Sequence, residues 1–245
     1  MTDTASIRDI LAPHGRLRAA INFGNTVLAK RGPTLEEAGG VSVAIARELA
    51  RRLDIGLDLV PFDAAGPVVA EAKNDVWDVA FLAIDPLRAQ DVSFTAPYVL
   101  IEGGYMVPAD SPLHDIAEVD RSGIRMTVGK GSAYDLYLTR NIKHAEIVRE
   151  ATSALAIERF MRERLDVAAG VKASLLDYAK GNSAVRVLDG RFMVIEQAMV
   201  TVHGPHALAT LATLIEELKA SGFVARELAA TGQTEATVAP AATAP

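Results

Sequence analysis

The sequence predicts an α/β protein of two lobes, each a mixed, mostly parallel sheet flanked by helices, and three observations carry that prediction. Short apolar runs suited to strands alternate with amphipathic segments at helical spacing. Residues 77–84, Trp-Asp-Val-Ala-Phe-Leu-Ala-Ile, are nearly continuous in apolar character, as a parallel strand buried on both faces requires. The alternation then breaks at Pro97, Gly103 and Gly104 and resumes beyond them as a second series. Half of the 245 residues are hydrophobic and 23% are charged, which supplies a core for a chain of this length and argues against disorder.

Residues 16–23 alternate and end at Gly24-Asn25, a first strand running into a loop of the kind that faces a ligand. Residues 41–53 place apolar side chains at helical spacing and leave Arg47, Glu48, Arg51 and Arg52 for solvent. A second strand follows at 57–62, a helical segment at 68–73 and the buried strand at 77–84. The second series has strands near 125–128, 146–148, 167–169 and 192–199, with helices near 134–141, 153–162 and 173–180. Helices at 208–218 and 223–228 fold back on the first lobe. This assigns 1–104 with 199–230 to lobe 1 and 105–198 to lobe 2. Residues 231–245, with two prolines and no aromatic, read as a frayed, flexible tail.

Composition excludes several function classes. A net charge of −6 without a Lys/Arg stripe gives no surface for nucleic acid. The absence of cysteine excludes disulfides, thiolate metal sites and a thiol nucleophile, and assigns no compartment. No apolar stretch reaches the roughly 18 residues of a membrane span. Residues 1–10 lack the basic and apolar regions of an export signal, so the expected location is cytoplasmic as written, or periplasmic if a leader has been trimmed away. No G-x-S-x-G elbow or G-x-G-x-x-G loop is present, and no cofactor is expected. His203 and His206 have ligand-like spacing, but Gly204-Pro205 between them breaks a helix and no third ligand is near in sequence, so no metal is expected.

Four fragments in register carry a resemblance. Residues 40–53, Gly-Val-Ser-Val-Ala-Ile-Ala-Arg-Glu-Leu-Ala-Arg-Arg-Leu, stand where one family has its GFDVDLAKALAKRLG helix. Residues 77–88 with Phe94-Thr-Ala-Pro-Tyr98 match its DV…TxxR…FSxPY pattern, residues 126–133 its vGvxxGSt element, and residues 164–169 its GxvDAvv. Over residues 15–230 the chain resembles the family 3 extracytoplasmic solute-binding proteins of amino-acid ABC transporters, which have the type II periplasmic-binding fold.

The resemblance implies two lobes joined by crossover strands near 103–105 and 197–199, closing on a small carboxylate-bearing ligand. It assigns the carboxylate to the fork of Arg88, joined by Ala83 through its backbone N–H and by Phe81 on the same strand. The Gly131-Ser132-Ala133 turn before a helix resembles an anion-binding turn, and Ser132 is at the same time a natural N-cap. Asn25 and Gln197 complete the expected polar contacts. The resemblance also implies a monomer and, as possible partner, an ABC transporter permease.

The chain departs from the family at one telling place. The Asp that holds a ligand ammonium, five positions after the Asp of GxvDA, is Val171 here. Either the ligand has no ammonium, as in a related organic acid, or Asp85 or Glu102 replaces the missing acid. Lys172 beside it raises the further possibility of an anionic ligand. The same family contains cyclohexadienyl dehydratases, so a lyase and a cytoplasmic sensor are the alternatives; Glu102 is the candidate proton donor of the lyase reading.

Overall fold

The computed structural model describes residues 4–243. In chain order the elements are α1 (Thr4–Leu11), β1 (Arg16–Asn22), α2 (Val41–Leu53), β2 (Gly56–Phe62), α3 (Ala65–Ala70), β3 (Val79–Ala83), β4 (Ser93–Pro108) and β5 (Arg125–Gly129). They continue with α4 (Ala133–Asn141), β6 (Glu146–Glu150), α5 (Ser153–Glu163), β7 (Val167–Val171), α6 (Lys172–Lys180), β8 (Val185–Val187), β9 (Met193–Thr201), α7 (Gly204–Ala220), α8 (Phe223–Ala230) and β10 (Thr237–Val238). The chain forms two compact units: unit 1 is Met1–Leu100 with Glu196–Pro245, and unit 2 is Ile101–Ile195. The long strands β4 and β9 carry the chain from one unit to the other.

Unit 1 is built on β2-β1-β3-β9, with β1 parallel to both β2 and β3, and β9 antiparallel to β3. All five residues of β3 are buried, which is why its sequence shows no alternation. Trp77, just before β3, fills a core with Val68, Ala80, Leu82, Val92 and Val200, and its indole N–H donates to the Val68 carbonyl at 3.0 Å. α2 packs on β1 and β2 through the apolar stripe that its sequence displays. Unit 2 is built on β4-β7-β5-β6, with β5 parallel to β6 and β7 and the second half of β4 antiparallel to β7. Its core gathers Met106, Phe160, Leu165, Ala168, Leu175 and Val185. Among the described residues no helix is long and apolar enough to cross a membrane.

Two readings of the sequence require correction. The Gly204-Pro205 pair opens α7 instead of breaking it, because a proline in the first turn lacks only an N–H that has no helical acceptor there. The stretch 231–243, read as a frayed tail, contains β10, which pairs antiparallel with Val99 and Leu100 of β4. Ala239 N–H continues the ladder to the Tyr98 carbonyl at 3.1 Å. Lys219 on α7, 5% exposed along its side chain, donates to the carbonyls of Pro97 at 3.2 Å and Pro240 at 2.8 Å and so ties the tail to the crossover strand. Side-chain polarity hides this from a composition argument, because the pairing is made by backbone groups that any sequence offers.

Candidate functional site

In unit 1 the candidate residues gather at the carboxyl ends of the parallel strands, the edge where open α/β sheets bind ligands. β3 delivers Ala83, after which the Ile84 amide still donates to Glu196 at 2.8 Å before the chain turns through Asp85-Pro86-Leu87. Asp85 makes that turn, its Oδ1 accepting the Leu87 N–H at 2.9 Å. The turn returns Arg88 to the strand it has just left, where Nη1 donates to the Ala83 carbonyl at 3.0 Å. Arg88 is 3% exposed and Asp85 4%. Burial lowers the Arg88 pKa to about 10, against the opposing charge of Asp85, so the guanidinium stays protonated at neutral pH.

Gln197 of β9 is the register partner of Ala83, and its side chain is buried. The sheet therefore sets Gln197 beside the carbonyl that holds Arg88. Phe81, two residues earlier on β3, is also buried; its ring meets Tyr98 edge-on with centroids 6.0 Å apart, and the Tyr98 hydroxyl bonds Ser42 Oγ at 3.0 Å. Phe81 thus belongs to the packing between β3 and the Phe94–Tyr98 segment.

Asn25 lies in the loop after β1, with its carbonyl accepting from Leu28 and Ala29 at 3.1 Å. Its side-chain Oδ1 is buried and has no hydrogen-bond donor among the described residues. The neighbouring Phe23 ring, the nearest aromatic to this loop in sequence, is covered by the Arg31 guanidinium at 4.5 Å, and Arg31 pairs with Asp63 at 2.6 Å. The sequence offered no signal for that stack.

Unit 2 alters the expected anion turn. Ser132 caps α4, its Oγ accepting the Asp135 N–H at 3.0 Å, as a serine before a helix does. The Gly131 amide, expected to face a ligand, donates instead to Asp135 Oδ2 at 2.8 Å. Asp135 is buried and is held further by Arg149 Nε at 2.9 Å. The first helical bond of α4 runs from the Leu136 N–H to the Ser132 carbonyl at 3.0 Å, so the amides of Ala133 and Tyr134 belong to the first turn. The correction has a simple cause: a carboxylate three residues into the helix reaches back to the turn's own N–H groups.

Glu102 is likewise claimed from within unit 2. It pairs with Arg191 at 2.5 Å and with Lys172 at 3.4 Å. The Arg191 hydrogen bond, opposed by partial burial and aided by Lys172, holds its carboxyl below the usual range. A carboxylate kept ionised lacks the proton that a general acid must donate. Val171 ends β7 and occupies the N-cap position of α6, with no side-chain cap bond.

One polar constellation escaped the sequence reading. Asp78, with no exposed side-chain surface, accepts the Arg18 backbone N–H at 2.8 Å, Arg18 Nη2 at 2.8 Å and a bond with His203 Nε2 at 3.0 Å. Arg18 also meets Asp75 at 2.5 Å, and Asp75 meets His14 at 3.0 Å. The only signal was the Asp-Val of Asp78-Val79 before the buried strand, and sequence spacing alone does not bring residues 14, 18, 75, 78 and 203 together.

Comparison with known proteins agrees with this architecture. The model of the bacterial extracellular solute-binding proteins, family 3, matches residues 30–229. No curated protein matches. Among solved structures, a mutant of ArgBP from T. maritima superposes with a TM-score of 0.79 at 19% identity, covering 92% of this chain and 99% of that one. The cysteine-binding protein from Campylobacter jejuni gives 0.79 at 19%, covering 92% of each chain. An ancestral amino acid-binding protein, a precursor of cyclohexadienyl dehydratase, gives 0.77 at 17%, covering 92% and 98%. The fold is that of the two-lobed type II periplasmic-binding proteins.

Proposed function

We propose that this chain, which belongs to the bacterial extracellular solute-binding proteins of family 3, captures a small carboxylate-bearing metabolite, an amino acid or a related organic acid, for an ABC-type transporter. The observation that carries the reading is Arg88: a guanidinium 3% exposed that keeps its charge at the carboxyl end of β3. The planar fork matches a carboxylate in two parallel hydrogen bonds, and a site shielded from water strengthens them. Within unit 1, Ala83 and Gln197 frame that fork. The arginine-bound form of ArgBP and the cysteine-binding protein support an amino acid as the first class to test.

Binding is favoured over lyase chemistry by the state of Glu102, the candidate proton donor, which its two cationic partners hold ionised. The test is calorimetric titration of amino acids and organic acids into the wild type and into Arg88→Lys, which keeps the charge and removes the fork. The expected result is a loss of about tenfold or more in affinity with a smaller change in melting temperature. Equal affinity of the two proteins for the same ligand overturns the assignment of Arg88, and turnover of a bound acid into product restores the lyase reading.

A further inference from the structure

Residues 231–243 have few large side chains to bury, yet unit 1 holds them along their whole length. Lys30 Nζ donates to the Thr231 carbonyl at 3.1 Å, Ala236 and Ala239 are buried, and the Ala242 N–H donates to Glu216 Oε2 at 3.2 Å. Between these points β10 and the Lys219 ammonium fasten the segment to β4. β4 pairs with β10 as far as Leu100, where the first stretch of unit 1 ends, and with β7 from Gly103 onward. Ile101 and Glu102 lie between the two ladders. The same part of β4 is tied to the strand that anchors Arg88. Thr95 Oγ1 accepts the Met199 N–H at 3.2 Å, Met199 is the register partner of Phe81 on β3, and the Phe81 ring meets Tyr98.

We propose that the C-terminal segment is a conformational strap: by pairing with β4 it confines bending of that crossover to Ile101 and Glu102, and a ligand binds more tightly with the strap seated than with it released. The inference rests on the reading of Arg88 given above. Without β10, Val99 and Leu100 lose their partners on that side, and the crossover gains backbone states. Ligand binding that orders the crossover must then remove those states, a cost in affinity that the seated strap has already met during folding. Lys219 is the positioning residue, because its one ammonium spans the Pro97 carbonyl in β4 and the Pro240 carbonyl just beyond β10. The coupling is reciprocal: if the seated strap favours the ligand, the bound ligand favours the seated strap by the same factor. A segment that serves packing alone has no such dependence.

The experiment uses the full chain, with the standard amino acids and succinate as probes, titrated into the wild type, Ala239→Pro and Lys219→Met. Ala239→Pro removes the amide that donates to Tyr98 and leaves every residue of the Arg88 site in place. Both variants are expected to bind the wild type's best probe about threefold or more weakly. Amide exchange in the wild type is the second measurement, and it tests the inference even if a variant fails to fold. The same probe is expected to slow exchange at Ala239 by more than at Asp54, which caps α2, as reciprocity requires. Unchanged affinity in both variants, or an Ala239 amide that the probe protects no more than Asp54, overturns the inference and leaves the Arg88 reading standing. A wild type that binds none of the probes removes that reading, and this inference with it.

Discussion

The same three residues, Asp-Val-Ala, open the central buried strand of each unit, and the two copies do different amounts of structural work. Asp78 before β3 and Asp166 before β7 each accept a backbone N–H from the adjacent strand, from Arg18 near the start of β1 or Arg125 at the start of β5, at 2.8 Å, and each returns its own amide to that residue's carbonyl. There the likeness stops. Asp78 is buried and also holds the Arg18 guanidinium and His203, so it joins the starts of β1, β3 and α7. Asp166 is partly exposed, and its carboxylate bond to the Arg125 N–H closes a two-strand clamp. A shared motif therefore fixes strand entry in both units, while the surrounding charges decide how much stability it carries.

The largest effect that would break this contrast is at Asp78. Asp78→Ala strands a partly buried arginine and leaves the Arg18 amide unpaired, and unfolding in urea should show a loss of about 3–5 kcal/mol. The pH dependence has a definite sign. Burial pushes the Asp78 carboxyl up, but the bonds from His203 and Arg18 outweigh it and hold the pKa below its ordinary value. Its contribution is therefore present above about pH 4, the unfolded value, and is lost as pH falls through the lower folded value. Asp78→Asn should flatten the acid limb of the stability curve; an unchanged limb would show that other carboxylates govern it.

The remaining effects descend in size. Lys219→Met leaves the carbonyls of Pro97 and Pro240 without their shared donor and should cost about 1–3 kcal/mol, with faster hydrogen exchange at the Ala239 amide as the local signature. Ser132→Ala in unit 2 removes the α4 cap and should cost about 1 kcal/mol by the same unfolding measurement. Asp166→Ala should cost the least, about 0.5–1.5 kcal/mol, for one backbone hydrogen bond at a partly exposed site. A loss at Asp166 equal to that at Asp78 would mean that the clamp itself, and not the charges around it, carries the energy.

Hydrophobic spacing made most elements legible. The stripe of residues 41–53 is α2 to the residue, and the apolar run at 77–84 contains β3, because burial imposes its period directly on composition. The carboxylates were less legible. Glu102 looked like an odd charge in an apolar crossover, yet its partners lie 70 and 89 residues away in sequence. The glycine of the anion turn had an assigned role, but Asp135, four residues later, takes its amide.

The order of most strands and helices was thus determined by the sequence alone, since local propensity and burial period act over short stretches of chain, and the solute-binding fold was legible in it through the resemblance of four short motifs to a known family. Tertiary structure decided which charges and polar groups meet one another. It paired Glu102 with Lys172 and Arg191, closed Asp135 on Gly131, and left Asn25 Oδ1 buried without a donor among the described residues. The reason is physical: the energy of a charge or a polar oxygen depends on its neighbours in space and their separation from water, and a linear sequence specifies neither until the chain has folded.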